Sequence, residues 1–398
     1  MNNKILAIDG GIPTRPADNF LVYGKPKIED TEINEVVACM RRGWIGTGPK
    51  VKQFETDFLT YKGVRHAVAL NSCTAALHLS MFAAGIGPGD EVITTPMTFC
   101  ATINSIIHCG ATPVLADCLR DTMNIDPSEI EKKVTSRTKA ILPVHFSGLC
   151  CNMDAIMELA HKYDLLVIED CAHAIESEYH GKPAGTFGDI GCFSFYVTKN
   201  IVTGEGGMIV TEDDRFAGRI KVLGLHGMSK DAWSRFSDEG YKHYQVIHAG
   251  YKYNMMDMQA VIGIEQLRRV ETYWQYRKEI WHTYNREFES LPCFLPIDAE
   301  PDSKHAYNLY PILLDIDQLG KERDWYIKAL TAENIGVGVH YQPVHRHPYY
   351  HKIFGWLPGD FPNAEWIGER TLSLPLSAAM EQADIEDVIS AFRKVVNS

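Results

Sequence analysis

The feature that most limits how this chain can fold is an alternation. Through its first two-thirds, short apolar runs with strand character take turns with amphipathic stretches of helical spacing. The runs are "HAVAL" (66–70), "EVITT" (91–95), "TPVLA" (112–116), "KAILPV" (139–144), "LLVIED" (165–170), "CFSFY" (192–196) and "GMIVT" (207–211). Between them lie "TAALHLSMFAAG", "CATINSIIHCG", "PSEIEKKV" and "MDAIMELAHKY". Apolar strands separated by helices predict an α/β unit, a mostly parallel, doubly wound sheet of seven strands covered on both faces. After "YKYNMMDMQA" the pattern changes to one long helical run, "MQAVIGIEQLRRVETYWQYRKEIWHTYNREFESL". It predicts a bridge from a large unit (1–265, amino-terminal segment included) into a small C-terminal α+β unit (266–398). The small unit is expected to hold strands near 306–315 and 336–341 and helices near 318–333 and 382–396. The polar, aromatic and aperiodic run at 229–245 reads as a surface excursion.

At 398 residues the chain can bury a large core without disulfide staples. Its formal net charge of −12 argues against nucleic acid and anionic membranes as main partners, though a local pocket can still take an anion. Ten cysteines are scattered, mostly in apolar runs, with no CxxC pair and no metal-finger spacing. They are expected to be reduced, buried thiols in a cytoplasmic enzyme. "MNNKILAIDGG" has no long apolar run of the secretory kind, and no segment nears the ~18 apolar residues of a spanning helix.

Four local features each read two ways. "LLVIED" ends in two acids that strand geometry sends to opposite faces, so either Glu169 or Asp170 could meet a ligand at a strand's carboxyl end, or both could be solvated. "LNSCTAALHL" breaks a strand at Asn71-Ser72 and starts a helix near Thr74; the turn is an ordinary cap or an anion site. Phe99 in "TTPMTFCATIN" is core, or a plate for a flat cofactor. In "FSFYVTKNIVTGEGGM", Ser194 is polar inside a buried strand, and Lys199 is a solvated loop charge or a catalytic amine. Gly204, Gly206 and Gly207 follow around Glu205 and permit close approach.

Together the four are more specific than their parts. An anion site, an aromatic plate, an aspartate and a lysine, each after a strand of one sheet, suit pyridoxal phosphate chemistry. The lysine binds the cofactor covalently, and the aspartate keeps its ring nitrogen protonated.

The same residues resemble the DegT/DnrJ/EryC1/StrS family of sugar aminotransferases, in the aspartate-aminotransferase fold (PLP fold type I). The resemblance runs nearly the whole chain through "GWIGTGPKVKQFE", "NSCTAALHL", "TTPMTFCATINSI", "PVHFSGLCCNMDAI", "VIEDCAHAIES", "FSFYVTKNIVTGEGGMIVT", "GYKYNMMDMQAVIG" and "TLSLPL". It implies that Lys199 is the Schiff-base lysine and Asp170 the partner of the pyridine nitrogen. Phe99 stacks on the ring, and His173, where many relatives have Gln, packs near the phenolic oxygen. Cys73, Thr74 and Ser194 form the phosphate cradle, and Asn254 reaches a phosphate across a homodimer interface. Cys73 departs from the Gly or Ala of many relatives. "VHYQPVHRHPYYHK" gathers His340, His345, His347 and His351 with Arg346. A metal cluster there lacks a carboxylate or cysteine, and the matching family segment lines the sugar-nucleotide pocket. His340, Tyr341 and His345, with Thr47, are therefore expected to contact substrate, and no metal is expected.

The implied reaction moves an amino group from L-glutamate to a keto group of a nucleotide-linked hexose, for amino-sugar or cell-surface glycan synthesis. "LGLHGMSKDAWSRF" and "HAGYKYN" resemble relatives that aminate C4 of UDP-4-keto sugars, including the enzyme of 4-amino-arabinose synthesis for lipid A. C3 is the alternative. A non-catalytic regulator of the same fold is a rival that the intact Lys199, Asp170 and Ser194 weigh against. A cysteine desulfurase would need a reactive cysteine in a glycine-rich loop, and none of the ten sits in one.

Overall fold

The structure, a computed structural model, describes residues 5–229 and 244–398. The expected excursion at 229–245 lies mostly outside the described residues. The strands of the large unit are β1 (His66–Leu70), β2 (Glu91–Thr94), β3 (Thr112–Leu115), β4 (Thr138–Leu142) and β5 (Leu166–Asp170). A two-residue hairpin, β6 (Glu178–Tyr179) and β7 (Lys182–Pro183), precedes β8 (Ile190–Ser194) and β9 (Gly207–Thr211). Seven of these form one sheet in the order β1-β9-β8-β5-β4-β2-β3. The pairs from β8 to β3 are parallel; β9 is antiparallel to both β8 and β1.

Successive side chains along a strand go to opposite faces, and both faces here are core. Ala67, Ile93, Val167, Phe193 and Met208 pack in one buried cluster with Phe54 and Phe58. Val68, Val92, Ile168, Cys192 and Ile209 pack in another with Leu77 and Leu79. A sheet apolar on both faces has to be wrapped by helices, which explains why the strands carry no polar face. Because β9 reverses the chain, β1 ends at the same edge as β2, β4, β5 and β8.

The long helix runs unbroken from Asp257 to Phe288, so the expected division at 265/266 falls inside it. A second core joins its far half (Ile280, Trp281, Tyr284) to β11 (Tyr310–Leu314) and β12 (Thr371–Leu374), and it takes in Leu6 and Leu21 of the amino-terminal segment. With β10 (Cys293–Phe294) these strands make a small antiparallel sheet in the order β10-β11-β12.

Three expected boundaries move. The third strand of the small sheet is 371–374, whereas 336–341 makes only a single bridge, Gly338 to Ser373. That segment divides its pairing, because Gly336 N–H donates to Leu21 O at 2.8 Å. The expected helix at 318–333 is two, Ile316–Leu319 and Arg323–Ala332, because Gly320 closes the first at φ +72°. "CFSFY" pairs two residues earlier than expected, as Ile190–Ser194. No helix among the described residues is long and apolar enough to cross a membrane.

One close approach sets the geometry of the sheet edge. At Gly207, the first residue of β9, a Cβ would lie 2.4 Å from the Ser72 carbonyl carbon and 2.6 Å from Cys73 N. Gly207→Ala therefore pushes β9 off the start of the helix after β1. It is expected to destabilise the chain by about 1–3 kcal/mol, as overpacking does. Urea unfolding checks this, and a midpoint equal to wild type would show that no close approach exists.

Candidate active site

The strand ends open into a cavity of about 690 Å³. β1 delivers Ser72, Cys73 and Thr74; β2 delivers Thr98 and Phe99; β5 delivers Asp170; β8 delivers Ser194 and the turn to Lys199. Gly338, His340 and Tyr341 of the C-terminal unit and Tyr23 of the amino-terminal segment line it too. The adjacent strands β5 and β8 pair Asp170 with Cys192, which brings the acid and the lysine turn to one level of the sheet.

Lys199 is half-buried, and burial pulls its amine down to about 8, opposed by the nearby Cys73 and Asp170. Asp170 is buried, and burial raises its carboxyl above the ordinary value. Hydrogen bonds from Ala172 N (3.1 Å) and Thr102 Oγ1 (2.9 Å) and the Lys199 charge oppose that rise. Thr102 is in turn 2.7 Å from Thr98 Oγ1. Glu169, one residue earlier, faces the other way. It accepts from the N–H groups of Gly185, Phe187 and Gly188 and sits 2.9 Å from His145 Nε2. Against the upward push of burial, those bonds hold it below the usual range. Among the described residues, His145, Glu169 and Cys171 are the one group of potential metal ligands in close range, and both oxygens of Glu169 are already engaged.

The anion end is a helix start. Ser72 caps the helix Cys73–Ala83 by accepting from Ala75 N at 3.1 Å. The cap thus falls two residues before Thr74 and leaves the first-turn N–H groups of Cys73 and Thr74 without an intrahelical acceptor. Ser194 closes β8 and accepts from Tyr196 N at 3.4 Å, the partner its buried hydroxyl requires. Phe99 is the N-cap of the helix Cys100–His108, so one helix start presents both the aromatic plate and Thr102. Phe99 is 59% exposed, against 0% for Phe193 and Phe195, which makes it cleft wall and not core.

His173 is buried; its Nδ1 accepts from Ser147 N at 3.2 Å, so the ring proton sits on Nε2, 3.2 Å from Tyr341 Oη. Burial, with Lys199 and His340 beside it, lowers its pKa well below the usual value. His340 is pushed down to about 3 by burial and Lys199, and its Nδ1 lies 2.8 Å from Ser373 Oγ. Both rings are neutral and add no positive charge against the lysine.

Three expected site residues lie elsewhere in the protomer. His345 is fully buried, 3.0 Å from Glu365 Oε1, and lines neither this cavity nor the groove beside it. The short helical turn Val344–Arg346 points it inward. His340, His345 and His351 do not converge: they meet Ser373, Glu365 and the Trp356 carbonyl respectively. Thr47 and Asn254 hydrogen-bond each other and line a second cavity of about 420 Å³ that shares no residue with the first.

Thr102, Thr98 and Tyr23 were not anticipated from sequence. Thr102 stands three residues after Phe99 in a helix, which places it on the same face, so spacing could have found it. Tyr23 has no such signal, because only the tertiary fold brings it over His340, at 5.7 Å between ring centroids.

The arrangement fits pyridoxal phosphate. A desolvated carboxylate with raised proton affinity suits a ring-nitrogen proton, a helix start suits a phosphate, and a lysine held near neutrality suits covalent attachment. The model of the DegT/DnrJ/EryC1/StrS aminotransferase family matches residues 26–393. SpsC of Bacillus subtilis, a spore coat polysaccharide biosynthesis protein, is 50% identical over 380 residues, 95% of this chain and 98% of its own. Spr1654 of Streptococcus pneumoniae, described as a sugar aminotransferase, superposes in its PMP form with a TM-score of 0.88 at 32% identity, over 95% of this chain and 99% of that one. It is also known in a PLP form. DesI, solved in the presence of its TDP-sugar product, superposes with a TM-score of 0.85 at 30% identity, over 98% and 95% of the two chains. The chain thus belongs to the DegT/DnrJ/EryC1/StrS aminotransferase family and is, like the sugar aminotransferases it superposes on, a pyridoxal-phosphate-dependent enzyme of fold type I.

Proposed function

We propose that the protein transfers an amino group from L-glutamate to a keto group, at C4, of a nucleotide-linked hexose in amino-sugar or cell-surface glycan synthesis. The observation that carries this reading is the Lys199 amine, held near neutrality in one cavity with Asp170 and a free helix start. The TDP-sugar product bound by DesI and the polysaccharide role of SpsC support a nucleotide-sugar substrate. The choice of C4 rests on the resemblance of "HAGYKYN" to enzymes acting on UDP-4-keto sugars.

When bound, pyridoxal phosphate supplies an electron sink for the carbon that loses its proton. Asp170 would hold its ring nitrogen, Phe99 its face, and Cys73 N, Thr74 N and Ser194 its phosphate. Lys199, largely uncharged above about pH 8, accepts a proton from the donor's Cα and later returns one to the sugar carbon. His173 donates from Nε2 to Tyr341 Oη and so orients that hydroxyl over the cleft. A groove of about 780 Å³ continues past Phe99 and Tyr341, lined by Arg323, His347, Tyr349 and Tyr350. A cation and aromatic faces suit the nucleotide and diphosphate.

Thr47 and Asn254, remote from their own cleft, would complete the cleft of a second copy in a homodimer. Supporting this, Ile33, Val37 and Met40 share one face of the helix Asp30–Arg42 and are exposed together with Trp44 and Ile45. Monomeric proteins rarely leave such a patch uncovered.

Four outcomes are expected. The amino form of the enzyme mixed with UDP-, GDP- and dTDP-linked 4-keto and 3-keto sugars should return to the absorbance of the lysine-bound form with a 4-keto sugar. Return with 3-keto sugars alone would overturn the C4 assignment, and Lys199→Ala should abolish turnover with every sugar. Thr102→Val removes a hydrogen bond to a buried carboxylate and should weaken cofactor binding about 10- to 100-fold, as charged hydrogen bonds of that kind do; titration of the stripped protein with pyridoxal phosphate measures it. Co-refolded Lys199→Ala and Asn254→Ala chains should regain activity that neither has alone. Failure to regain it would sink the shared site.

A further inference from the structure

Behind the cleft lies a buried polar network that touches neither the cavity nor any expected ligand. Glu176 stands in the loop that begins at Asp170 and carries His173. Its side chain is fully buried, and its Oε1 pairs with Nη2 of Arg277, itself only 4% exposed, on the long helix. Its Oε2 accepts from Asn200 Nδ2 at 2.7 Å, and Asn200 directly follows Lys199. The rest of the Asn200 carboxamide is also engaged. Nδ2 donates to Ala306 O at 2.9 Å, and Oδ1 accepts from Asn308 Nδ2 at 2.8 Å. Three segments therefore meet on one amide, the Asp170 loop, the Lys199 loop and residues 306–308, and the long helix joins them through Glu176.

A buried ion pair is a poor stabiliser, since desolvating two charges offsets most of their attraction and an apolar pair of equal size does as well. What a buried ion pair can add is direction. Arg277 fixes one carboxylate oxygen and aims the other at Asn200, and in a low-dielectric interior that bond tolerates little displacement. Packing does not supply the same restraint. A cavity of about 30 Å³ lies behind the lysine turn, bordered by Thr198, Lys199, Asn200 and Arg277. On that side the turn is held by hydrogen bonds and not by a close-packed wall.

We infer that Glu176, aimed by Arg277, is a positioning residue that acts through Asn200 to hold the Lys199 amine at a fixed distance from Asp170. The inference rests on Lys199 being the reacting amine. It gives the long helix a part in the chemistry, because a shift of Arg277 passes to the lysine through two hydrogen-bonded side chains.

Asn200→Ser tests the link, because it removes the contact and leaves the Glu176–Arg277 pair intact. The first readout uses the full chain stripped of cofactor: the pH midpoint of Lys199 acetylation, followed by mass spectrometry of its peptide. Wild type should titrate near 8. In Asn200→Ser the turn loosens, the half-buried amine gains exposure, and the midpoint should rise toward the ordinary ~10.4 of lysine. The second readout uses holoenzyme. kcat should fall about 10- to 100-fold, the scale of a small misplacement of a reacting group, with KM for both substrates nearly unchanged. Glu176→Gln should give the same two changes with a lower Tm, because the buried Arg277 loses its counter-charge. If Asn200→Ser does not fold, Asn308→Ser removes one restraint on Asn200 and is read in the same way. An unshifted midpoint overturns the proposal even if activity falls, since that loss would be general destabilisation; a shifted midpoint with wild-type kcat overturns it too. Borohydride reduction of wild-type holoenzyme separates the underlying reading, because cofactor found on a lysine other than Lys199 would refute that reading first.

Discussion

A half-buried amine and a buried carboxylate face one cavity at the edge of the sheet, and the rest of the structure serves to keep them there. Burial works against each in its charged form, lowering Lys199 and raising Asp170. Left alone, two such groups would turn toward solvent. Here neither can, because Asp170 ends β5 and is tied to Thr102 and Ala172, while the turn after β8 is tied at Asn200. Parallel pairing of β5 with β8 brings both chain ends to the same edge, which a hairpin between them could not do. The antiparallel β9 then returns the chain, and Gly207 lets it pass against the helix start that offers an anion site. Pyridoxal phosphate would relieve this tension, its charged ring nitrogen beside the carboxylate and its covalent attachment at the amine.

The local field differs from the global one. On the proposed reaction, a chain of net charge −12 has to bind a phosphate, a diphosphate and an amino acid. It does so without gathering cations in the cleft. His173 and His340 are neutral there, and the anion site is made of peptide N–H groups, which bind charge without repelling the lysine. Cationic side chains such as Arg323 stand farther out, in the groove beyond Phe99. Burial, and not a neighbouring cation, is therefore what draws the Lys199 amine down to about 8.

What the sequence shows best is what depends on neighbours along the chain. Strand runs such as "HAVAL" and "GMIVT" match residue for residue, because an apolar run between turn signals has few other ways to be buried. Asp170, Ser194 and Lys199 come together at one cavity because the first two end strands and the third follows one at the same sheet edge. The C-terminal unit was less legible. Residues 336–341 look like a strand but divide their hydrogen bonds between Leu21 and Ser373, partners far away in sequence. His345 stood among histidines suggestive of a pocket, yet Glu365, twenty positions on, takes it inward. Thr47 and Asn254 pair with each other across more than two hundred residues, and no spacing rule reports such a contact.

Glu169 and Asp170 show why residue type alone could not assign the roles. They are adjacent acids on one strand, both buried, and the pleat sends them to opposite faces. On one face, three backbone N–H groups and His145 saturate Glu169 and hold it below the usual carboxylate range, so it is a finished structural anion. On the other face, two hydrogen bonds leave Asp170 short of full compensation, and its carboxyl is raised. The difference is one of unmet hydrogen-bonding capacity. A carboxylate that is buried, under-satisfied and open to a cavity has room for a further cationic partner beyond the charge of Lys199. On the proposed function the ring nitrogen of the cofactor would meet that need at Asp170 and not at Glu169, whose bonds are complete.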